Sequence, residues 1–274
     1  MSWSKVVPRA TRMPGLRAVE AFSRHSFAPH AHDEFGLGMV LSGGHVSLSR
    51  VGRVEAEPRD VINVNPGEVH DGAPLGDAPR AWLMVYIDPP ALAEGLGREP
   101  EFPDLNGLEF VAPVLRSPGL ADKFGELYAL LTQPAAEDEV ALEGDLLEVL
   151  VRSLRPRARA SSGALCSARV LRVLERMRDD PAAAVTLADL AEVAGMSRYQ
   201  VLRGVKRATG LTPQAFLRQL RVDRARRAIL RGSTLAEAAA EAGFCDQSHM
   251  NRAFKGAYGV TPGAFARSVG PSAI

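Results

Sequence analysis

Thr186-Leu-Ala-Asp-Leu-Ala-Glu-Val-Ala-Gly195 recurs 48 residues later as Thr234-Leu-Ala-Glu-Ala-Ala-Ala-Glu-Ala-Gly243. Gly210-Leu-Thr-Pro-Gln-Ala-Phe-Leu-Arg218 recurs 49 residues later as Gly259-Val-Thr-Pro-Gly-Ala-Phe-Ala-Arg267. Such an internal repeat is one supersecondary unit used twice. Each copy reads as a helix with both ends marked. Thr186 and Thr234 are N-cap residues whose hydroxyls satisfy free N–H groups. Asp189 and Glu237, three residues on, complete a capping-box pattern and suit the positive helix end. Ala191 and Ala239 let a second helix approach closely. Gly195 and Gly243 stop the first helix and supply a positive φ in the turn. A second helix is expected to start near Ser197 in one copy and Asp246 in the other. Helix, short turn and helix make a helix-turn-helix.

The second helices have the face of major-groove readers. In the first, Val201, Leu202 and Val205 supply the inner side, leaving Arg198, Tyr199, Gln200, Arg203, Lys206 and Arg207 outward. In the second, Met250, Ala253 and Phe254 face inward, leaving Asp246, Gln247, Ser248, His249, Asn251, Arg252 and Lys255. Arg and Gln make bidentate contacts with base edges, whereas Lys and Ser more often hold phosphates. An ordinary amphipathic helix with a wet face is the competing reading of one copy, and two matched copies weigh against it. Residues 213–231 form a basic helix of about 28 Å at 1.5 Å per residue. That length suits two units reading successive major grooves about 34 Å apart. Arg221, Arg224, Arg226 and Arg227 on this helix either touch phosphate, pair with Asp223, or are simply solvated.

The charge distribution agrees. The chain's formal charge is +1, yet residues 1–162 carry −7 and residues 163–274 carry +8. A basic half suggests a polyanion partner, double-stranded DNA first. The only cysteines, Cys166 and Cys245, are far apart, which argues against a disulfide framework and for a reducing cytoplasm. No long apolar run follows Lys5, Arg9 and Arg12, and no segment has the length for a membrane helix.

The C-terminal region resembles the AraC/XylS family of bacterial transcription regulators. The carrying residues are Ala194-Gly195-Met-Ser, the basic linker helix, Ala242-Gly-Phe-Cys-Asp-Gln-Ser-His-Met-Asn-Arg-Ala-Phe-Lys255, and Tyr258-Gly-Val-Thr-Pro-Gly-Ala-Phe265. The resemblance covers about residues 170–267 and implies seven helices, with an operator bound in two successive major grooves. It places base readers at Tyr199, Leu202 and Arg203 and at Gln247, Ser248 and Arg252. The expected DNA-binding set is these six with Arg198, Gln200, Lys206, Asn251 and Lys255. Leu202 departs from the family, where a polar reader is common; the first unit then reads less, or contacts a thymine methyl. Cys245 replaces a frequent Ser, and is read as a small buried residue.

The N-terminal half reads as strands over 19–27, 35–41, 45–51, 60–65 and 81–87, with turns at Ser42-Gly43-Gly44, Gly52, Pro58 and Asn65-Pro66-Gly67. Short strands so spaced suggest a β-sandwich or barrel. Pro- and Gly-rich loops follow around 89–118, then helices over 120–131 and 137–154. In Pro29-His-Ala-His-Asp-Glu-Phe35 an extended strand would put His30, His32 and Glu34 on one face. The turn at Pro66-Gly67 would bring His70 beside them. This pattern resembles the two motifs of cupins and the sensor domain of many AraC-type regulators. It implies a small β-barrel with an effector in its mouth.

His30, His32, Glu34, His70, Trp82 and Tyr86 are the candidate effector contacts. His30, His32 and His70 are also candidate metal ligands, although the glutamate of a metal cupin usually comes later than Glu34. No cofactor is fixed by the sequence beyond this candidate divalent metal. Core packing competes for Trp82 and Tyr86. The apolar stripe of residues 137–154 buries against the barrel or in a dimer partner.

The expected architecture is two-domain α+β: a cupin-like β-barrel followed by helices, then an all-α domain with two helix-turn-helix units joined by a linker helix. The expected divisions are an arm (1–18), an effector and dimerisation domain (19–154), a linker (155–168) and a DNA-binding domain (169–268). The two helix-turn-helix units fall at about 186–207 and 234–256. The expected function is effector-responsive, sequence-specific transcription regulation, with activation the expected sign. No catalytic set is evident. The alternative is a metal-dependent cupin enzyme fused to a DNA-binding domain. Expected partners are a DNA operator, a small-molecule effector, a second copy of the chain and RNA polymerase, in the bacterial cytoplasm and away from the membrane.

Overall fold

Arg80-Ala-Trp-Leu-Met-Val-Tyr-Ile87 alternates two kinds of side chain, and this alternation builds the first unit. The computed structural model describes residues 5–90, 107–133, 139–156 and 168–269. The main division between two compact units falls at residues 157–158.

In the first unit a six-stranded antiparallel sheet runs in the order β1 (Lys5–Arg9), β2 (Leu16–Ser23), β9 (Arg80–Ile87), β4 (Phe35–Ser42), β7 (Val61–Val64) and β11 (Val114–Leu115). A four-stranded sheet runs β3 (Phe27–His30), β8 (His70–Pro74), β5 (His45–Ser49) and β6 (Gly52–Ala56). A short pair joins β10 (Leu108–Phe110) to β12 (Leu154–Pro156). Leu83, Val85 and Ile87 of β9, with Phe35, Leu37 and Met39 of β4, share a core with Leu120, Phe124, Leu127 and Leu131 of α1 (Pro118–Thr132) and Leu146, Val149 and Leu150 of α2 (Glu139–Ser153). Trp82 and Met84 belong to the other face, in a core with Ala21, Val40, Ile62 and Ala56 that draws in Phe27 and Tyr86. The period-2 geometry of a strand sends alternate residues to the two cores.

Several expectations change here. The strand expected over 19–27 is two strands in different sheets. Ser23 Oγ accepts the His25 N–H at 2.8 Å, a local turn that competes with the ladder. The expected arm contributes β1, an edge strand that tolerates Pro8 and is tied by the Arg9–Glu20 ion pair. β6 and β8 carry charged and turn-forming residues and so lacked a strand signature. Part of the loop region around 89–118 and most of the linker, with Cys166, lie outside the described residues. Within the loop region, Leu108–Phe110 and Val114–Leu115 are strands.

The second unit holds seven helices among the described residues: α3 (Ala168–Asp179), α4 (Leu187–Ala194), α5 (Arg198–Thr209), α6 (Pro213–Leu230), α7 (Leu235–Glu241), α8 (Gln247–Tyr258) and α9 (Pro262–Val269). Val170, Val173, Leu174 and Met177 of α3 bury against Leu190, Ala191, Ala194, Val201 and Val205. No described helix is long and apolar enough to cross a membrane.

Candidate nucleic-acid interface and effector site

Both helix-turn-helix units close their first helix as the repeat predicts. Thr186 N donates to Asp189 Oδ2 (2.8 Å) while Asp189 N donates to Thr186 Oγ1 (3.2 Å). Thr234 and Glu237 repeat this at 2.8 and 3.3 Å. Gly195 and Gly243 have φ of 59° and 77°. The second helices start at N-caps Ser197 and Asp246.

On α5, Arg198, Tyr199, Leu202, Arg203 and Lys206 are exposed, while Val201 and Val205 are fully buried. Leu202 therefore lies outward, where it is free to meet an apolar partner, and not in the inner face. The Arg203 guanidinium lies 5.6 Å from the Tyr199 ring centre. Gln200 differs from expectation: it is the third helical residue of a capping box, and its Oε1 accepts the Ser197 N–H at 2.8 Å. Its carbonyl is thus occupied in holding the helix start.

On α8, Gln247, Ser248, Arg252 and Lys255 are exposed over buried Met250 and Phe254. Asn251 is only partly exposed, and its Oδ1 is buried with no hydrogen-bond partner among the described residues. It sits at the edge of this exposed face. Cys245 is exposed, contrary to the expected buried residue, because the turn places it beside the N-cap with Sγ 3.3 Å from His249 Nδ1.

The linker helix α6 spans about 27 Å and acts as a spine. Arg221 donates to the carbonyls of Pro181 (2.7 Å) and Ala183 (3.1 Å). Arg224 lies 3.7 Å from Asp180 and 3.9 Å from Glu241 of α7. Asp223 accepts from Gln219 (3.1 Å) and from Tyr258 Oη of α8 (2.9 Å), and Arg226 is buried. These side chains bind the two helix-turn-helix units together; Arg221 is taken up by the carbonyls at 181 and 183, and Arg226 is buried away from the surface where a phosphate would lie. Gly243 adds a direct seam, since a Cβ there would stand 2.5 Å from Ala182 Cα.

In the first unit, the histidines do converge. His30 and His70 ring centres are 4.3 Å apart, His32 and His70 4.9 Å, and His30 and His32 6.4 Å. Each Nδ1 faces a backbone oxygen: Ala28 O at 2.8 Å, Glu34 O at 2.9 Å and Glu68 O at 2.9 Å. A carbonyl only accepts, so each Nδ1 carries the hydrogen and each Nε2 keeps its lone pair. Burial lowers the basicity of all three, His32 to about 4, so they are neutral at pH 7. Tyr86 lies 5.2 Å from His32, and burial pushes its phenol up to about 12.

Glu34 does not join this group. Its carboxylate takes a bidentate pair from Arg17, at 3.0 and 2.6 Å, in a buried position. Among the described residues no three His, Cys, Asp or Glu side chains are placed to hold a metal ion together. The feature the three histidines share is a set of Nε2 hydrogen-bond acceptors.

Two further residues of the first unit escaped sequence reading. Arg80 is fully buried, and Nε, Nη1 and Nη2 have no hydrogen-bond partner among the described residues. Its guanidinium lies 4.7 Å from the Trp82 ring centre and 6.0 Å from that of Phe27. Burial lowers it to about 10, which leaves it charged at pH 7. Leaving a buried charge unpaired costs several kcal/mol. His45, whose Nδ1 is also buried and without a partner, is lowered to about 3 by burial and by Arg80. Arg80 was accessible in principle: it continues the alternation already seen at Trp82 and Tyr86.

Comparisons with known proteins agree with this architecture. Residues 14–150 match the model of the AraC-like ligand binding domain, and residues 190–268 match a helix-turn-helix domain. An uncharacterised HTH-type transcriptional regulator of Bacillus subtilis, YbfI, is 27% identical over 82% of this chain and 81% of its own length. The transcriptional activator NphR of a Rhodococcus species is 38% identical over 36% of this chain and 29% of its own. Among solved structures, an apo single-site variant of ToxT from Vibrio cholerae superposes with a TM-score of 0.50 at 11% identity, covering 98% of this chain and 99% of that one. That likeness speaks to the fold alone. With a ligand-binding domain followed by paired helix-turn-helix units, the chain belongs to the AraC family of transcriptional regulators.

Proposed function

We propose that this chain is an effector-responsive transcription activator that binds its operator as a homodimer. The observation that carries the reading is the pair of outward faces on α5 and α8, held on one spine by Arg221, Arg224 and Asp223. Tyr199, Leu202 and Arg203 read bases in one major groove; Gln247, Ser248 and Arg252 read them in the next. Arg198, Lys206 and Lys255 hold phosphates. Gln200 contributes through its free amide hydrogens, and Asn251 from the edge of the interface. Leu202 reads by apolar contact with a thymine methyl.

The effector lies between the sheets, lined by His30, His32, His70, Trp82 and Tyr86. Three bare Nε2 acceptors suit hydroxyl or N–H donors on the ligand. Glu34 supports the site through Arg17. A metal-dependent enzyme is disfavoured, because Glu34 is committed to Arg17 and no shared ligand geometry is formed among the described residues. Dimerisation through the first unit is supported by Leu147 and Val151, exposed by 42% and 69% on the outer side of α2, while Leu146, Val149 and Leu150 fill the core.

The test is selection of an operator from random DNA with the full chain, followed by anisotropy at fixed salt. Affinity should exceed that for scrambled DNA by about a thousandfold or more. Equal affinity for both would overturn the reading. Transcription in vitro with purified RNA polymerase, the operator upstream of the promoter, then gives the sign: added protein should raise transcript, and a fall would make it a repressor.

A further inference from the structure

Among the described residues of the first unit, the fully buried cation, Arg80, has no anion beside it. Arg17 is committed to Glu34, and the neighbouring histidines are neutral at pH 7. Arg80 brings an uncompensated charge, with three guanidinium nitrogens unmatched among the described residues. Its surroundings are apolar and aromatic: Trp82 and Phe27 meet edge to face at 6.2 Å, and Met84 follows on the same face of β9. On the facing sheet, β8 passes Arg80 at Gly72. A methyl group there would stand 3.4 Å from Arg80 Nη2 and 3.2 Å from His45 Cε1, so the guanidinium and the imidazole flank one point.

We propose that Arg80 and His45 form the anion-binding end of the effector site, and that the effector is a small organic monocarboxylate. This rests on the reading that the space between the sheets holds the effector. A planar guanidinium presents a fork of N–H donors that matches a carboxylate in bidentate fashion. Neutral His45 adds one N–H donor through its unpartnered Nδ1. One net positive charge balances one carboxylate, whereas a phosphate dianion would be left half compensated. The body of the acid lies along Trp82 and Met84, toward the acceptors of His30, His32 and His70.

The experiment uses the full chain in a thermal-shift series. The probes are monocarboxylates from acetate to octanoate and from benzoate to naphthoate, each beside its primary amide, with inorganic phosphate and a set of neutral sugars. At hundredfold excess over its Kd, a fitting acid should raise Tm by about 5–10 °C. Its amide should bind about 10–100-fold more weakly, since a charge-assisted pair is lost. Arg80→Met should abolish the acid response while folding at or above the wild-type Tm, because it removes a buried unpaired charge. Arg80→Lys should retain a weakened response.

An acid and its amide that bind equally would overturn the proposal, and that arm needs no variant to fold. So would an undiminished acid response in Arg80→Met, or a response to phosphate alone. A response confined to neutral sugars would overturn the carboxylate and leave the effector reading standing. No response to any probe would count against both.

Discussion

Replacing Gly243 by alanine should destabilise the helical unit by about 2–5 kcal/mol, and the same change at Gly195 by only about 1–2 kcal/mol. The two glycines occupy the same place in the repeat. Both have a positive φ, 77° and 59°. An L-residue held there loses about 1–2 kcal/mol relative to glycine. The difference lies in what a Cβ would meet. At Gly243 it would stand 2.5 Å from Ala182 Cα and 2.8 Å from Ala182 O, both backbone atoms; at Gly195 nothing lies within 4 Å. Forcing an extra carbon into a packed seam adds about 1–3 kcal/mol. Urea unfolding of the full chain, followed by far-UV circular dichroism at 222 nm, reports mainly the helices and compares the two variants directly. Gly243→Ala should also weaken operator binding more than Gly195→Ala, because Ala182 precedes the first unit and Gly243 sits in the second. Equal losses in the two variants would show that the seam is not what fixes the units together.

Other outcomes follow from the same contacts. Arg252→Ala should reduce discrimination by about 1–3 kcal/mol at one or two base pairs of the operator, measured by competition with single-base variants; uniform loss across all sequences would make it a phosphate contact. Stability should fall as pH drops from about 6.5 toward 4. His30, His32, His45 and His70 are neutral when folded, with His32 at about 4 and His45 at about 3, and bind protons once unfolded. His32 and His45 each contribute a slope of up to ~1.4 kcal/mol per pH unit in that window and none above it, and His30 and His70 act in the same direction. Denaturant midpoints between pH 4 and 8 check this, and a flat profile would refute it. Leu147→Asp with Val151→Asp should shift the full chain toward monomer in sedimentation velocity while leaving Tm within a few degrees, since both side chains already face solvent.

The helical half was legible in sequence because its signals are local. A threonine cap, an acid three residues on and a glycine at the end specify a helix without long-range help, and the repeat doubled each signal. Its failures were long-range. Nothing near Arg221 or Arg226 in the chain reveals that carbonyls at 181 and 183, or a buried site, would claim them. Gln200 carries a second, local role that the polar face did not advertise, since the third position of a capping box holds its carbonyl at the helix start. In the β-rich half, alternation located the central strands but not Gly52–Ala56 or His70–Pro74, where partners supply the ladder that the residues do not advertise. The three histidines were rightly brought together. Glu34 was not part of that group, because Arg17, 17 residues earlier, takes its carboxylate.

One chain is proposed to read two successive grooves through α5 and α8. Hydroxyl-radical footprinting of the full chain on its selected operator tests this most directly. Two protected segments per chain are expected on one face of the duplex, about one helical turn apart. Arg203→Ala should weaken protection in one segment and Arg252→Ala in the other. A single protected segment, or protection lost equally from both in each variant, would contradict it.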